Sequence, residues 1–184
     1  MAIRILHVGT GSRGRHWLEI VRDYPDATSV AFVDKEPKAL DEASKLVGRT
    51  GAPLHTDLSV ALREVPADVA LITSPSFLHT EHALQCLEAG LTVLIEKPFA
   101  TTLGDASQVI RKARAVGKHI VVAENYRFYA AERTIGQWLA ADRLGGIATV
   151  VCVDRRNQPP SEQGPWVGNM AHSAKSAGRC IRTG

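Results

Sequence analysis

Short apolar runs rich in β-branched residues alternate with helix-patterned segments along most of this chain. The runs that we interpret as strands occupy residues 3–8, 28–33, 52–55, 68–73, 91–96, 119–123 and 147–153. The segments interpreted as helices occupy residues 15–24, 37–47, 57–65, 76–89, 105–116 and 130–144. Alternation at this spacing is typical of βαβ units, in which helices cover both faces of a parallel sheet. We therefore predict an α/β fold with a doubly wound parallel sheet.

The composition suits a soluble domain that binds neither nucleic acid nor a membrane. Of the 184 residues, 45% are hydrophobic and 22% are charged, which is the usual balance of a globular protein. The formal charge of +3 arises from residues 163–184, which include basic residues and no acidic ones. The remaining chain is formally neutral and has no basic face for nucleic acid. Its apolar runs are too short to span a bilayer, and its N-terminus lacks the pattern of a secretory signal.

The cysteines indicate a reducing compartment. Cys86, Cys152 and Cys180 lie far apart and include no CxxC pair. That spacing favours neither a disulfide framework nor a zinc site. We therefore expect a cytoplasmic protein without structural disulfides.

Residues 8–14, with the sequence VGTGSRG, form a GxGxxG motif between the first predicted strand and the helix after it. In this context Gly9 permits a tight turn, Gly11 lets the backbone approach a pyrophosphate, and Gly14 allows close packing of helix on strand. The N-terminus of the helix offers amide groups to the phosphates, and the neighbouring side chains add donors. The predicted phosphate-binding loop comprises Gly9, Thr10, Gly11, Ser12, Arg13 and Gly14.

An acidic residue follows the second predicted strand, where a dinucleotide fold places its ribose-binding acid. Asp34 lies 20 residues after Gly14 and is expected to accept hydrogen bonds from the adenosine ribose. A carboxylate there repels a 2′-phosphate, so it favours NAD over NADP, although Lys35 is placed to reach such a phosphate. Two alternatives stay open at this point: a glycine turn used only for packing, and a methyltransferase that binds S-adenosylmethionine.

Polar residues also follow the predicted strand at residues 68–73. Thr73, Ser74 and Pro75 form the loop, and we expect them to lie along the cofactor because ligands bind beyond the carboxyl ends of parallel strands. His79 is a candidate contact for ribose or substrate, the alternative being a solvated histidine in the first helical turn. His79 and His82 have helical spacing, but nothing supplies further metal ligands, so no metal site is predicted.

The sequence Glu96-Lys97-Pro98 follows the next strand. Lys97 is a cation at the mouth of the sheet, where it can stabilise charge on a substrate oxygen that gains or loses a proton. Glu96 is placed to orient Lys97, and Pro98 stiffens the loop. The alternative is an ordinary solvated lysine at a strand end.

These motifs, together with residues 124–128 (ENYRF), occur in the order seen in the glucose–fructose oxidoreductase, inositol dehydrogenase and rhizopine-catabolism (Gfo/Idh/MocA) family, which residues 3–153 resemble. The resemblance implies an N-terminal Rossmann domain that binds NAD(H) or NADP(H). It also implies reversible oxidation of a secondary alcohol on a sugar, cyclitol or similar polyol, and a homo-oligomer as the assembly. By the same resemblance, Lys97 is the active-site lysine, Glu96 its neighbour at the nicotinamide, and Asn125 and Arg127 part of the loop that closes over the cofactor. A methyltransferase has no use for the Glu-Lys-Pro element.

The end of the chain departs from the family pattern. The family continues into a second α/β domain, which supplies an aspartate and a proton-transferring histidine. Here His172 is the only histidine after Ala123, and no matching helix surrounds it. We therefore predict a Rossmann domain at residues 1–123, the beginning of a truncated second domain at 124–154, and an irregular, mobile tail at 155–184. A cofactor-binding remnant without turnover is accordingly the alternative to a working oxidoreductase.

Overall fold

The computed structural model describes residues 2–48 and 51–151. The chain divides into two compact units, residues 1–123 and 124–184. Strands of the first unit are β1 (Ile3–Val8), β2 (Ala27–Val33), β3 (Leu54–His55), β4 (Val69–Ile72), β5 (Thr92–Glu96) and β6 (Ile120–Ala123). Its helices are α1 (Ser12–Arg22), α2 (Pro37–Leu46), α3 (Leu58–Glu64), α4 (His79–Glu88) and α5 (Leu103–Ala115). The second unit contains α6 (Ala130–Ala140).

The strands of the first unit form one parallel sheet. Their order is β3-β2-β1-β4-β5-β6, and every neighbouring pair is parallel. The chain starts in the middle of the sheet, winds outward to β3, and crosses back to β4 beside β1. This order confirms the predicted doubly wound fold, and it reverses direction between β1 and β4.

Helices cover both faces of this sheet, because successive side chains of each strand point to opposite faces. On β1, Leu6 and Val8 belong to a buried cluster with residues of α3, α4 and α5. On the other face, Phe32 of β2 packs with residues of α1 and α2, including Leu18 and Leu40. The sheet is thus buried between two helical layers. Ligands can approach it at the carboxyl ends of its strands, which the helices leave uncovered.

All six predicted helices differ somewhat in their bounds from the observed ones, and the helix predicted at 130–144 ends at Ala140. The helix predicted at 15–24 begins at Ser12, because the glycine motif turns directly into a helix and Gly14 lies inside it. The segment predicted as one helix at 76–89 divides into a 3₁₀ turn at Ser76–Leu78 and α4. Asp57, the predicted cap of a short helix, does cap α3 and accepts hydrogen bonds from the amides of Ser59 and Val60.

The strand predicted at 147–153 is wrong over its described part. Residues 147–151 have no regular secondary structure, and Val150 and Val151 are 78% and 79% exposed. An apolar run forms a strand only where a neighbouring strand satisfies its backbone groups, and no such neighbour exists among residues 124–151. Residues 152 and 153, like the tail predicted at 155–184, lie outside the described residues.

Candidate functional site

The candidate site lies at the carboxyl ends of the central strands of the first unit. The amide of Gly9, just after β1, donates to the carbonyl of Val33 at the end of β2 (2.8 Å). The amide of Thr73, just after β4, donates to the carbonyl of Val8 (2.8 Å). The loops after these strands therefore begin side by side at the point where the strand order reverses, which is where open α/β sheets bind ligands.

Gly9 brings two of these loops into direct backbone contact. Its φ is +94°, a left-handed conformation that favours glycine. A Cβ atom at this position would lie 2.6 Å from the amide nitrogen of Ser74. The Thr73 hydroxyl also donates to the Gly9 carbonyl (2.6 Å). No side chain fits between the loop after β1 and the loop after β4.

Gly14 performs a related packing role inside α1. A Cβ atom there would collide with the Gly9 carbonyl oxygen and lie 3.0 Å from the Thr73 hydroxyl oxygen. The helix can approach the turn this closely because it has no side chain at this residue. Packing within the protein therefore accounts for the first and third glycines of the motif.

Gly11 is different, because no residue that the structure describes packs against this position. Its φ is −62°, and a Cβ atom there would have no atom of the described residues within 4 Å. Gly11 is also the N-cap residue of α1, and no side chain caps this helix. Open space and unshared helix amides thus coincide at this residue, as a bound pyrophosphate requires. The glycine and helix geometry fits a dinucleotide.

Asp34, just after β2, forms hydrogen bonds with the glycine loop. Its Oδ2 accepts hydrogen bonds from the amide and hydroxyl of Thr10 (2.8 and 3.2 Å), and Thr10 is fully buried. Its Oδ1 accepts from the amide of Glu36 (3.0 Å). A carboxylate oxygen accepts two hydrogen bonds, so Oδ1 retains capacity for a ligand hydroxyl.

Glu96 is a buried carboxylate that joins α1 to the end of β5. Its Oε1 accepts from Arg13 Nε (2.6 Å) and from the Trp17 indole (2.9 Å). Its Oε2 accepts from the backbone amide of Lys97 (3.1 Å). These donors satisfy the charge of a residue that is only 4% exposed. Arg13, predicted to donate to phosphates, has its Nε committed to Glu96.

Lys97 is exposed at the mouth of the sheet. Its backbone amide donates a hydrogen bond to Glu96 Oε2, which holds the Lys97 backbone in place at the end of β5. The peptide bond between Lys97 and Pro98 is cis. The predicted orienting effect of Glu96 therefore acts on the Lys97 backbone in this structure.

His79 is buried, with 1% exposure, which excludes the alternative of a solvated histidine. Its Nδ1 lies 2.8 Å from the carbonyl oxygen of Pro98, and its Nε2 lies 2.9 Å from the carbonyl oxygen of Ser74. The two ring nitrogens thus face backbone carbonyls of the loop after β4 and the loop after β5. Contact of His79 with a cofactor stays a prediction.

The Ser74 side chain is engaged as well. Its hydroxyl lies 2.9 Å from Nδ1 of His82. Burial lowers the pKa of His82 below its ordinary value, against the opposing effect of Glu81. Within residues 2–48 and 51–151, no three histidine, cysteine or acidic side chains are grouped as metal ligands. The helices of that range include none long and apolar enough to cross a membrane.

Asn125, predicted to help close over the cofactor, belongs to the second unit. There its Nδ2 donates to the Tyr129 hydroxyl (3.1 Å), and the Arg127 guanidinium lies over the Phe128 ring, 5.3 Å from its centroid. The roles of Asn125 and Arg127 toward the cofactor stay predictions.

Sequence reasoning missed two features of the site: the Trp17 bond to Glu96 and the two carbonyl partners of His79. Arg13 and Trp17 are spaced by four residues and therefore share one face of α1. That spacing is the only sequence signal for the first feature, and it does not identify the carboxylate between them.

Known proteins that resemble this chain are oxidoreductases and dehydrogenases. The family model described as "oxidoreductase family, NAD-binding Rossmann fold" (GFO_IDH_MocA) matches residues 3–124. Inositol 2-dehydrogenase 3 of Saccharopolyspora erythraea is 30% identical over 179 residues, which cover 96% of this chain and 50% of that protein. The chain thus spans about half the length of this curated relative.

Two solved structures share the fold. The WlbA dehydrogenase of Chromobacterium violaceum, in complex with NADH and UDP-GlcNAcA, superimposes with a TM-score of 0.73 at 30% identity, covering 78% of this chain and 41% of that one. The WlbA dehydrogenase of Bordetella pertussis, with the same two ligands, gives a TM-score of 0.73 at 27% identity, covering 79% of this chain and 44% of that one.

Proposed function

Because the chain belongs to the Gfo/Idh/MocA family of NAD-binding oxidoreductases, we propose that its first unit binds NAD(H) for oxidation or reduction of a small polyol or sugar. The observation that carries this proposal is the open space at Gly11, beside a helix start without a side-chain cap. Packing explains the other two glycines of the motif, whereas a ligand that approaches the backbone accounts for the open space at this one.

The residues that hold the dinucleotide follow from this geometry. The first amides of α1, at Ser12 and Arg13, donate to the pyrophosphate, and the positive end of the helix dipole adds to this attraction. Asp34 Oδ1 accepts from the adenosine ribose. Because Thr10 and Glu36 already fix the Asp34 side chain, little conformational entropy is lost when the ribose binds.

We propose NAD, rather than NADP, as the preferred cofactor. The Asp34 carboxylate would repel a 2′-phosphate on the ribose that it contacts. Lys35 is exposed next to it and reduces this repulsion without removing it. The NADH complexes of the two WlbA dehydrogenases support the same cofactor.

Lys97 is the residue that we propose for proton transfer. When bound, the nicotinamide supplies the hydride acceptor or donor. In oxidation Lys97 Nζ accepts the proton of the substrate hydroxyl, and in reduction it donates a proton to the substrate carbonyl oxygen, so that charge does not accumulate on that oxygen. The hydrogen bond from the Lys97 amide to the buried Glu96 carboxylate fixes the backbone position from which this side chain extends.

The proposed substrate class is a sugar, cyclitol or related secondary alcohol. The similarity to an inositol 2-dehydrogenase and to dehydrogenases solved with UDP-GlcNAcA supports a polyhydroxylated substrate. Hydride transfer also requires walls that hold the substrate at reacting distance from the nicotinamide. The chain spans about half the length of these relatives. The proposed cofactor contacts at Gly11 and Asp34 do not by themselves hold a substrate, so cofactor binding without turnover is a second candidate function of these residues.

A turnover assay separates the two candidates. NADH production is measured for the purified chain with a panel of inositols, hexoses and sugar acids. A working oxidoreductase loses about 10²–10⁴-fold in rate on the change Lys97→Ala. The matched control is Lys118→Ala. Lys118 is exposed and precedes β6, so it lies at the amino ends of the strands, away from the proposed site. NADH binding without turnover supports the second candidate, whereas turnover that survives Lys97→Ala would contradict the assignment of Lys97.

A further inference from the structure

His79 lies between two loops of the proposed cofactor site. It is the first residue of α4, and its ring is 1% exposed. One ring nitrogen faces the carbonyl of Ser74 in the loop after β4, and the other faces the carbonyl of Pro98 in the loop after β5. A single buried side chain therefore contacts the backbone of both loops.

The chemistry of these partners constrains the ring. A backbone carbonyl only accepts hydrogen bonds, and a neutral imidazole has one donor and one acceptor nitrogen. A ring nitrogen that carries a proton donates to the carbonyl that it faces, the Pro98 oxygen at 2.8 Å or the Ser74 oxygen at 2.9 Å. The ring therefore contacts both carbonyls and can donate to at least one of them.

These two loops carry the two parts of the proposed site. The loop with Ser74 presses against Gly9 of the phosphate-binding turn. The loop with Pro98 carries Lys97, which directly precedes it. Contacts thus run from the glycine turn through Ser74 and His79 to the residue after Lys97.

We propose that His79 is a positioning residue, whose buried ring fixes the Lys97 loop relative to the phosphate-binding turn. The link between the loops is a property of this chain by itself. Its consequence for Lys97 rests on the proposed function. His79 acts through Lys97 and does not have to touch cofactor or substrate.

The first test measures amide hydrogen exchange in the full chain. His79→Phe keeps a ring but removes both ring nitrogens, so peptides covering residues 73–78 and 96–101 should exchange about tenfold faster or more. Peptides from β1 and β2 should keep their exchange rates, and His79→Gln, which retains an N–H donor, should recover part of the protection. The matched control is His82→Phe, because His82 contacts the Ser74 hydroxyl; this change should affect residues 73–78 and leave 96–101 unaltered.

A uniform increase in exchange over the whole first unit, or no change at residues 96–101, would overturn the proposed link.

Nitrogen-15 NMR of the His79 ring gives a second, spectroscopic test. The ring N–H of His79 that faces a carbonyl should exchange slowly with water, and a ring N–H that exchanges as fast as that of an exposed histidine would contradict the proposal. NADH titration of the same variants separates this outcome from the proposed function. An absence of NADH binding by the unmodified chain would overturn cofactor binding while leaving the loop link intact, and normal binding with unaltered loop exchange in His79→Phe would do the reverse.

Discussion

Arg13 and Glu96 form an ion pair across the two halves of the site, with Nε 2.6 Å from Oε1. The Arg13 side chain is 41% exposed, whereas that of Glu96 is 6% exposed. Arg13 lies in the first turn of the helix that follows the glycine motif, and Glu96 directly precedes Lys97. The pair therefore fixes the phosphate-binding helix to the strand that delivers the proposed catalytic lysine.

Loss of this pair should destabilise the first unit. Arg13→Met leaves the Glu96 carboxylate with the Trp17 indole and the Lys97 amide as donors. We expect the free energy of unfolding to fall by about 1–2 kcal/mol, because a hydrogen bond to a buried charge is lost while Arg13 itself is partly solvated. Urea denaturation measures this change.

The control for that change is Arg15→Met. Arg15 pairs with Glu42, and both side chains are more than a third exposed. An exposed pair of this kind contributes about 0–1 kcal/mol. Equal losses for the two variants would mean that the burial of Glu96 adds nothing to its ion pair.

The three glycines of the motif should respond differently to substitution. Gly14→Ala places a Cβ atom against the Gly9 carbonyl and the Thr73 hydroxyl, and backbone must shift to accommodate it. We expect a loss of about 1–3 kcal/mol. Gly11→Ala meets no protein atom within 4 Å and should cost about 1 kcal/mol or less, as a change of N-cap residue. Thermal or urea unfolding of both variants checks the order, and a Gly11 variant less stable than the Gly14 variant would contradict the packing.

His7 should make stability depend on pH. Burial lowers the pKa of His7 from 6.5 to about 3, and its Nε2 contacts the Ser29 hydroxyl (2.9 Å). Between these two values the unfolded chain binds the extra proton, so stability is present above about pH 6.5 and is lost as the pH falls. The slope contributed by His7 is at most about 1.4 kcal/mol per pH unit.

The change His7→Gln removes this titration while keeping a polar partner for Ser29. Urea unfolding between pH 4 and 7, which covers most of the window between about pH 3 and 6.5, should give a shallower slope for the variant than for the unmodified chain. Parallel slopes would show that His7 titrates alike in the folded and unfolded chains.

Asp34 should set the preference for NAD. Asp34→Asn removes the charge but keeps an oxygen that can accept from the Thr10 amide. We expect the ratio of NAD to NADP affinity to fall by roughly tenfold, as repulsion of the 2′-phosphate disappears. Calorimetric titration with NADH and NADPH measures both affinities. Equal affinities in the unmodified chain would show that Lys35 cancels the effect of the carboxylate.

Most of the fold could be predicted because apolar periodicity is a local property of sequence. The strand at Ile3–Val8 was predicted with its observed bounds. The start of α1 was placed three residues late, because Gly14 has low helix propensity although tertiary packing places it inside the helix. The strand predicted at 147–153 failed because a run of valines and isoleucines does not reveal whether a partner strand is present.

The site was predictable only where the motif spacing reflects local geometry. Gly9, Gly14 and Asp34 are such residues, since the glycine turn and the end of the second strand have fixed places in the order of strands and helices. The bond between Arg13 and Glu96 joins residues 83 positions apart, and the carbonyl partner of His79 at Pro98 is 19 positions away. Contacts of this kind depend on how the helices pack, which no local pattern specifies.

Titration of the purified chain with NADH is the most direct test of the central claim, that Gly11 marks the place of a bound dinucleotide. The decisive comparison is between the unmodified chain and Gly11→Val, whose added side chain fills the open space without meeting protein atoms at its Cβ. We predict saturable binding by the unmodified chain, and a loss of about tenfold or more in affinity for a variant that stays folded by circular dichroism. No binding by the unmodified chain, or equal binding by a folded Gly11→Val, would contradict the account.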